Sequence, residues 1–346
     1  MTSEISKEFP RFVIAGCLKR DFILPISGKP EFDILGGNLM YAAVGFKLWE
    51  MSAGLLARVG KNFPQEWLQE IEDQGFNTTG IKVLSSEMEQ RRFLAHADLQ
   101  TTHRQNPVQH FADRGLAFPS DLLGFRPQTA SHDSRTKPLA QSIQISDVPE
   151  DYLEASAVHI CPIDYLSHML LPSLFRQGQA TTITLTPSPG YMTSSFWEEI
   201  PGLLSEITAL ITPEEDIRNL FRGRQTDLWA MAAVLADFGP EYVLIRSDSW
   251  EFYVYDRVSG SRWVVPLYQT RVVDPTGAMD AFAGGFLAGY RKTYDPLEGA
   301  LMGSVAASIV MEGVGPFFAL EAMPELIAKR LEALRDMVQE VSPGSS

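Results

Sequence analysis

Apolar and polar positions change their period along this chain, and the changes predict its elements. Residues 11–18 (RFVIAGCL) form an apolar run closed near a glycine, which predicts a buried strand. Residues 20–34 alternate apolar and polar around Pro25, Gly28 and Pro30, which predicts short exposed strands joined by a turn. After Gly36-Gly37-Asn38 the small and apolar residues 39–51 read as a helix, and 52–60 (SAGLLARVG) as another buried strand. Residues 63–76 have Trp67, Leu68 and Ile71 on one helical face and Gly75 near the end, the pattern of an amphipathic helix. Residues 81–86 and 89–99 read as strands.

Residues 100–148 differ in texture. They are rich in Gln, Thr, Ser and His, with prolines at 107, 119, 127 and 138, and predict a long irregular insertion, partly mobile. His96, His103 and His110 recur every seven residues, but Pro107 interrupts the continuous helix that a metal-binding stripe would need. From residue 155 onward strand-like and helix-like stretches alternate. The helices include 164–178, 194–207, 227–239, 281–292 and 296–313, and a last amphipathic helix lies near 324–341. This alternation predicts an α/β fold with a mostly parallel sheet covered by helices on both faces, as one domain over 1–346. In such folds ligands sit at the carboxyl ends of the strands.

Length and composition suit that reading: 346 residues, 45% of them apolar and 21% charged, are ample for one large core. The net charge of −14 argues against a nucleic-acid partner. The basic pairs Lys19-Arg20, Arg91-Arg92 and Arg291-Lys292 read as solvated surface. Cys17 and Cys161 lie in apolar strand-like runs without zinc-ligand spacing and read as buried free thiols. No secretory signal is read at the N-terminus, and the uncharged run between Glu298 and Glu312 is too short to span a bilayer, so a cytoplasmic location is expected.

The segment 271–280 (RVVDPTGAMD) carries the chemistry. Small residues lead straight into an apolar helix. The first N–H groups of that helix lack internal partners and stand at the positive end of its dipole, a ready phosphate site. Asp280, one turn in, would sit beside the anion and could accept a proton from a hydroxyl. The competing reading is structural: Asp274 or Thr276 caps the helix and Asp280 is a first-turn acid. Neither a P-loop, nor a nucleophile elbow, nor a dinucleotide fingerprint is present.

Asp274-Pro-Thr-Gly-Ala-Met-Asp280 resembles the C-terminal signature D-T-x-G-A-G-D of the PfkB, or ribokinase-like, family of carbohydrate and nucleoside kinases. Gly16 followed by Asp21, the Gly36-Gly37-Asn38 turn and residues 55–81 resemble the family's N-terminal half in order and spacing. The resemblance covers nearly the whole chain outside 100–148. It implies a ribokinase-like fold with a small β-sheet lid from about 19–35 and 89–99, and a homodimer through that lid. It implies ATP and magnesium (Mg2+) as cofactors, and a sugar, polyol or nucleoside as acceptor. Asp280 would be the base, and the backbone of Gly277, Ala278 and Met279 the anion hole. Asp21, Gly36, Gly37 and Asn38 would contact substrate, and Thr276 and Ser304 the nucleotide.

Several positions depart from the family pattern. Met279 replaces a glycine. Glu214 and Ile217 stand where an N-x-x-E motif orders magnesium-bound water, which leaves Glu214 and Glu215 as the metal candidates. Residues 246–250 (RSDSW) replace a glycine-rich turn along the nucleotide, Thr186 stands where many relatives have Asp, and Tyr41 stands where ribokinases have Asn. These changes keep two expectations open: a divergent kinase, or a sugar- or nucleotide-binding relative with little catalysis. The insertion is expected to extend the lid or the dimer contact.

Overall fold

The computed structural model describes residues 9–127 and 132–342. Residues 1–8, which were read for a leader, and 128–131 of the insertion lie outside the described residues. The first half contains β1 (Phe12–Ala15), β2 (Lys19–Leu24), β3 (Glu31–Gly36), α1 (Asn38–Lys47), β4 (Gly54–Val59), α2 (Gln65–Asp73), β5 (Asn77–Val83), β6 (Arg91–His96), β7 (Thr102–His103) and α3 (Pro107–Asp113). The second half begins with β8 (Ala157–Ile160), α4 (Tyr165–Gln177), β9 (Thr182–Leu185), α5 (Ile200–Leu204), β10 (Ala209–Pro213), α6 (Glu214–Phe221) and α7 (Leu228–Asp237). It ends with β11 (Tyr242–Arg246), β12 (Glu251–Asp256), β13 (Arg262–Pro266), α8 (Ala278–Thr293), α9 (Pro296–Val310), α10 (Pro324–Arg335) and β14 (Gln339–Glu340).

The last helix, expected near 324–341, ends at Arg335, and Gln339–Glu340 form a strand; two further differences are explained by proline. The helix expected over 194–207 is a 3-10 turn at Ser194–Phe196 followed by the short α5, because Pro201 fits only a first helical turn. Within the stretch expected to be irregular, Pro107 starts α3: its fixed φ suits the first helical position, after Asn106 turns the chain at φ 52°, while His96 and His103 lie on strands, so no continuous helix joins the three histidines.

Among the described residues the strands form a ten-stranded sheet, ordered β14-β13-β12-β11-β10-β9-β8-β1-β4-β5, and a four-stranded sheet, β3-β2-β6-β7. The large sheet is parallel from β5 through β11 and antiparallel beyond it. Side chains alternate across it. Ile14 and Leu244 join one apolar core with α1, α8 and α9, while Val13, Ala15, Val243 and Ile245 join a second with α4, α6 and α7. This is the ribokinase-like α/β architecture. α8 lies close against α1: a Cβ on Gly284 would come within 1.9 Å of the Ala42 carbonyl oxygen, and one on Gly45 within 2.1 Å of that of Ala281. This close approach fixes the N-terminus of α8, and with it residues 277–280, next to the smaller sheet.

The smaller sheet is the lid. On β6, Arg92, Leu94 and His96 face a cavity, while Phe93 and Ala95 face away from it. Phe22, Leu24, Phe93 and Ala95 form a separate apolar cluster with Phe111 of α3 and Leu122, flanked by Phe32, Phe118 and Phe125. The insertion therefore folds back over the lid's outer face. Arg91 donates to the carbonyls of Asp121 (2.7 Å) and Leu123 (3.0 Å), and Arg114 to those of Pro25 (2.8 Å) and His96 (2.9 Å). Residues 107–125 of this chain thus cover the apolar outer face of the small sheet. The later part of the insertion packs on the large domain, where Asp133 accepts from the Tyr165 N–H (2.9 Å) and Ile143 joins the second core.

Both cysteines are free and buried, as expected. Among the described residues no helix is long and apolar enough to cross a membrane.

Candidate active site

A cavity of about 730 Å³ lies between the lid and the carboxyl ends of the large sheet's strands. The lid contributes Arg92, Leu94, His96, Thr102 and Arg104. The opposite wall holds Glu215, Arg246, Asp248 and Trp250, and the floor is Thr276, Gly277, Met279 and Asp280. The size suits a drug-sized ligand. A second cavity of about 600 Å³, beside Phe9, Phe12 and Phe76, is remote from these groups.

The floor is built by the start of α8. Gly277 is its N-cap, at φ 74°, and a Cβ there would stand 1.9 Å from the Tyr41 ring. Only glycine fits both constraints. The Ala278 N–H donates to the Pro275 carbonyl (3.2 Å), whereas the N–H groups of Gly277, Met279 and Asp280 have no partner among the described residues. The anion hole thus differs from the expected set by one member: Ala278 is engaged and Asp280's own N–H is free. Met279 packs partly against the core and leaves the cavity open above it.

The Asp280 carboxyl has no hydrogen-bond partner among the described residues. Burial pushes its pKa up to about 7; Arg92 opposes that shift and Asp21 adds to it. Asp274, behind the floor, is also raised by burial, to about 6, although hydrogen bonds from Thr276 oppose this. The Thr276 hydroxyl donates to Asp274 Oδ1 (2.7 Å) and contacts His96 Nε2 at 2.8 Å. Burial lowers the His96 pKa to about 4, helped by Arg104 and Arg92, so the ring is neutral at pH 7 and its 3.2 Å approach to Asp274 is not an ion pair. The Thr102 hydroxyl meets the other ring nitrogen at 2.9 Å. A chain of hydrogen bonds therefore ties the lid to the floor.

The expected substrate residues do not reach the cavity wall. Asp21 is fully buried, and both of its oxygens accept from Arg92 (2.8 and 2.6 Å). Burial alone would weaken Arg92 as a base, but the charge and hydrogen bonds of Asp21 outweigh it and hold the guanidinium ionised. Asn38 accepts from the Cys17 N–H (2.7 Å) and donates to the Pro162 carbonyl (2.6 Å), so its amide is spent on the fold. A Cβ on Gly36 would strike Asp21, and Gly37 turns at φ 96° against the Cys17 carbonyl. Both glycines shape the backbone around Asp21. Ser304 is buried and donates to the Pro266 carbonyl (2.7 Å), away from the cavity.

On the opposite wall the two acidic candidates separate. Glu214 is buried, bound by Arg218 (2.6 Å) and by the Asp248 N–H (3.1 Å). Glu215 is exposed and lines the cavity. Among the described residues no cluster of three His, Cys, Asp or Glu side chains could hold a metal by itself.

The sequence reading missed Arg92, His96, Arg104 and Arg246. The pair Arg91-Arg92 reads as solvated surface in the sequence, yet Arg92 faces the cavity and only Arg91 turns away from it, to the Asp121 and Leu123 carbonyls. The alternation in 91–96 (RRFLAH), with Arg92, Leu94 and His96 on one face, was the available signal.

A sequence profile described as pfkB family carbohydrate kinase matches residues 141–323, more than half of the chain. The chain belongs to that family. It is a pfkB-type small-molecule kinase, and the resemblance drawn from its two ends stands. Among curated relatives, the cytidine kinase of Thermococcus kodakarensis is 26% identical over 292 residues, covering 83% of this chain and 90% of that one. The adenosine kinase of Saccharomyces cerevisiae is 43% identical over 99 residues, 28% of this chain and 29% of its own. Among solved structures, a putative ribokinase II from E. coli in complex with ATP and Mg2+ superposes with a TM-score of 0.68 at 13% identity, covering 94% of this chain and 99% of that one. The nucleoside kinase of Methanocaldococcus jannaschii gives 0.62 at 16% identity, over 93% and 98%. These two structures support the pfkB fold.

Proposed function

We propose that this kinase transfers the γ-phosphoryl group of ATP to a hydroxyl of a nucleoside or related sugar. One observation carries the mechanism: an unpartnered Asp280 carboxyl with a pKa near 7 stands in the same helical turn as three free N–H groups. A base titrating near the working pH is suited to take a hydroxyl proton as the oxygen attacks. The N–H groups of Gly277, Met279 and Asp280, with the helix dipole, are aimed where negative charge gathers. These free donors, and the glycine that lets a phosphate approach, fit the terminal phosphates of ATP. ATP supplies the activated phosphoryl group and ADP as the leaving group. Magnesium enters with the nucleotide; Glu215 and Asp248 are the acids that line that side of the cavity, while Glu214 is held by Arg218.

The acceptor would meet Arg92 instead of Asp21. With two guanidinium donors spent on Asp21, the remaining N–H groups of Arg92 offer hydrogen bonds to an oxygen or ring nitrogen of the acceptor. The extended similarity to a cytidine kinase supports a nucleoside in that place.

The test is ADP release from ATP and magnesium across nucleosides, pentoses, hexoses and polyols. Acceptor-dependent turnover is expected, reduced about 10²- to 10⁴-fold in Asp280→Asn with the fold intact. Full turnover in Asp280→Asn would refute the assignment of the base.

A further inference from the structure

Among the described residues, hydrogen bonds tie the lid to the segment entering α8 at two places. One is a backbone contact: the N–H groups of Ile26 and Ser27, in the loop between β2 and β3, donate to the Val273 carbonyl (3.0 and 3.3 Å). The other joins side chains, His96 Nε2 and the Thr276 hydroxyl, at 2.8 Å. His96, Thr276 and Asp274 are all buried. The pairing of β6 with β7 sets Thr102 opposite His96, its hydroxyl 2.9 Å from Nδ1. The donors along this chain follow in order. The Thr276 hydroxyl gives its one proton to Asp274 Oδ1 (2.7 Å), so toward His96 it accepts. His96 therefore carries its proton on Nε2, and Nδ1 accepts from the Thr102 hydroxyl. The ring lines the cavity, yet neither nitrogen remains for a ligand. What it holds is Thr276. The Thr276 N–H also donates to Asp274 Oδ1 (3.0 Å), and the Asp274 N–H donates to the Met311 carbonyl at the end of α9 (3.1 Å).

We propose that His96 is a positioning residue for the phosphoryl transfer: through Thr276 it sets the peptide plane that carries the Gly277 N–H, the first donor of the anion hole. This inference rests on the kinase reading above. A peptide unit is planar, so the Gly277 N–H points where the plane between Thr276 and Gly277 points. Pro275 has a fixed φ, whereas Gly277 stands at φ 74° with no Cβ to restrict it. Thr276 is the joint between a stiff residue and a free one, and its side chain is clamped between His96 of the lid and Asp274 of the floor. Donors stabilise a moving phosphoryl group most when they are aimed before the charge arrives. The backbone contact at Val273 alone would leave the lid free to turn about it. The His96 contact gives the lid one seat on the floor, so seating the lid and aiming the donor become a single event.

The experiment compares wild type with His96→Gln, His96→Leu, Thr276→Val and the double variant His96→Leu with Thr276→Val. It measures kcat, KM for ATP and for the acceptor, and melting temperature. His96→Leu is expected to lose about 10- to 10²-fold in kcat while both KM values stay within about threefold of wild type, because the aim of a donor counts most in the transition state. Thr276→Val removes the same contact from the floor and is expected to lose at least as much. The double variant is expected to be no slower than Thr276→Val alone, since the two changes break one contact. His96→Gln keeps an N–H donor and is expected to recover most of kcat. A purely structural role would lower the melting temperature and leave kcat per folded molecule unchanged. Three results would overturn the proposal: kcat within about threefold of wild type in Thr276→Val, losses that multiply in the double variant, or a loss confined to KM. If His96→Leu does not fold, Thr276→Val and His96→Gln decide, and a His96→Gln variant as slow as Thr276→Val overturns the proposal. A wild type that turns over no acceptor would instead remove the kinase reading, and the proposal with it.

Discussion

The two faces of β6 are built from alternate residues of one strand and do different work. The inner face, Arg92, Leu94 and His96, is polar at both ends and meets Asp21, Asp274 and Thr276. The outer face, Phe93 and Ala95, is apolar and meets Phe111, Leu122 and their neighbours. A strand buried on both sides normally reads as a continuous apolar run. Here the arginine and histidine can be enclosed only because each has partners. The inner face is satisfied by specific contacts and the outer face by volume, so substitutions should separate the two.

The largest stability effect belongs inside. Arg92→Met leaves the fully buried Asp21 without its partner and should cost about 3–5 kcal/mol in denaturant unfolding. Adding Asp21→Asn should restore most of that stability without restoring turnover. Recovery of turnover in the double variant would show that the inner face acts only through folding. Outside, Phe111→Leu keeps most of the volume and should cost about 1 kcal/mol, with turnover per folded molecule unchanged. A large loss of turnover there would mean that the outer face controls the site. The subtlest effect concerns the floor against which the inner face closes. Folded Asp280 keeps its proton up to about pH 7, whereas an unfolded chain releases it near about pH 4. The folded state therefore binds the proton more tightly, and stability is lost as pH rises through that window. Asp280→Asn should match wild type in melting temperature below about pH 4 and exceed it at pH 8. Equal melting temperatures at pH 8 would show that Asp280 ionises freely.

The floor was legible in the sequence because its chemistry is contiguous. Residues 274–280 form one loop and one helical turn, so local rules for helix starts apply directly. The large sheet was legible because its strands and helices alternate in period. The inner lid was not, for a physical reason: Asp21 and Arg92 are 71 residues apart, and only pairing β2 with β6 joins them. Adjacent arginines look alike in sequence until a strand sends one to each face. The insertion was illegible for a similar reason. Its aromatic residues have no helical period of their own, and their partners, Phe22 and Phe93, lie on strands far earlier in the chain or before the insertion begins.

The covering of the lid by residues 107–125 has a consequence for how the site is completed. A surface supplied by a second molecule is present only in proportion to how much of that molecule surrounds it. A surface supplied by the same chain is tethered, and a short tether holds it at an effective concentration in the millimolar range. The outer apolar face of this kinase's lid is therefore backed at any dilution, because residues 107–125 travel with it.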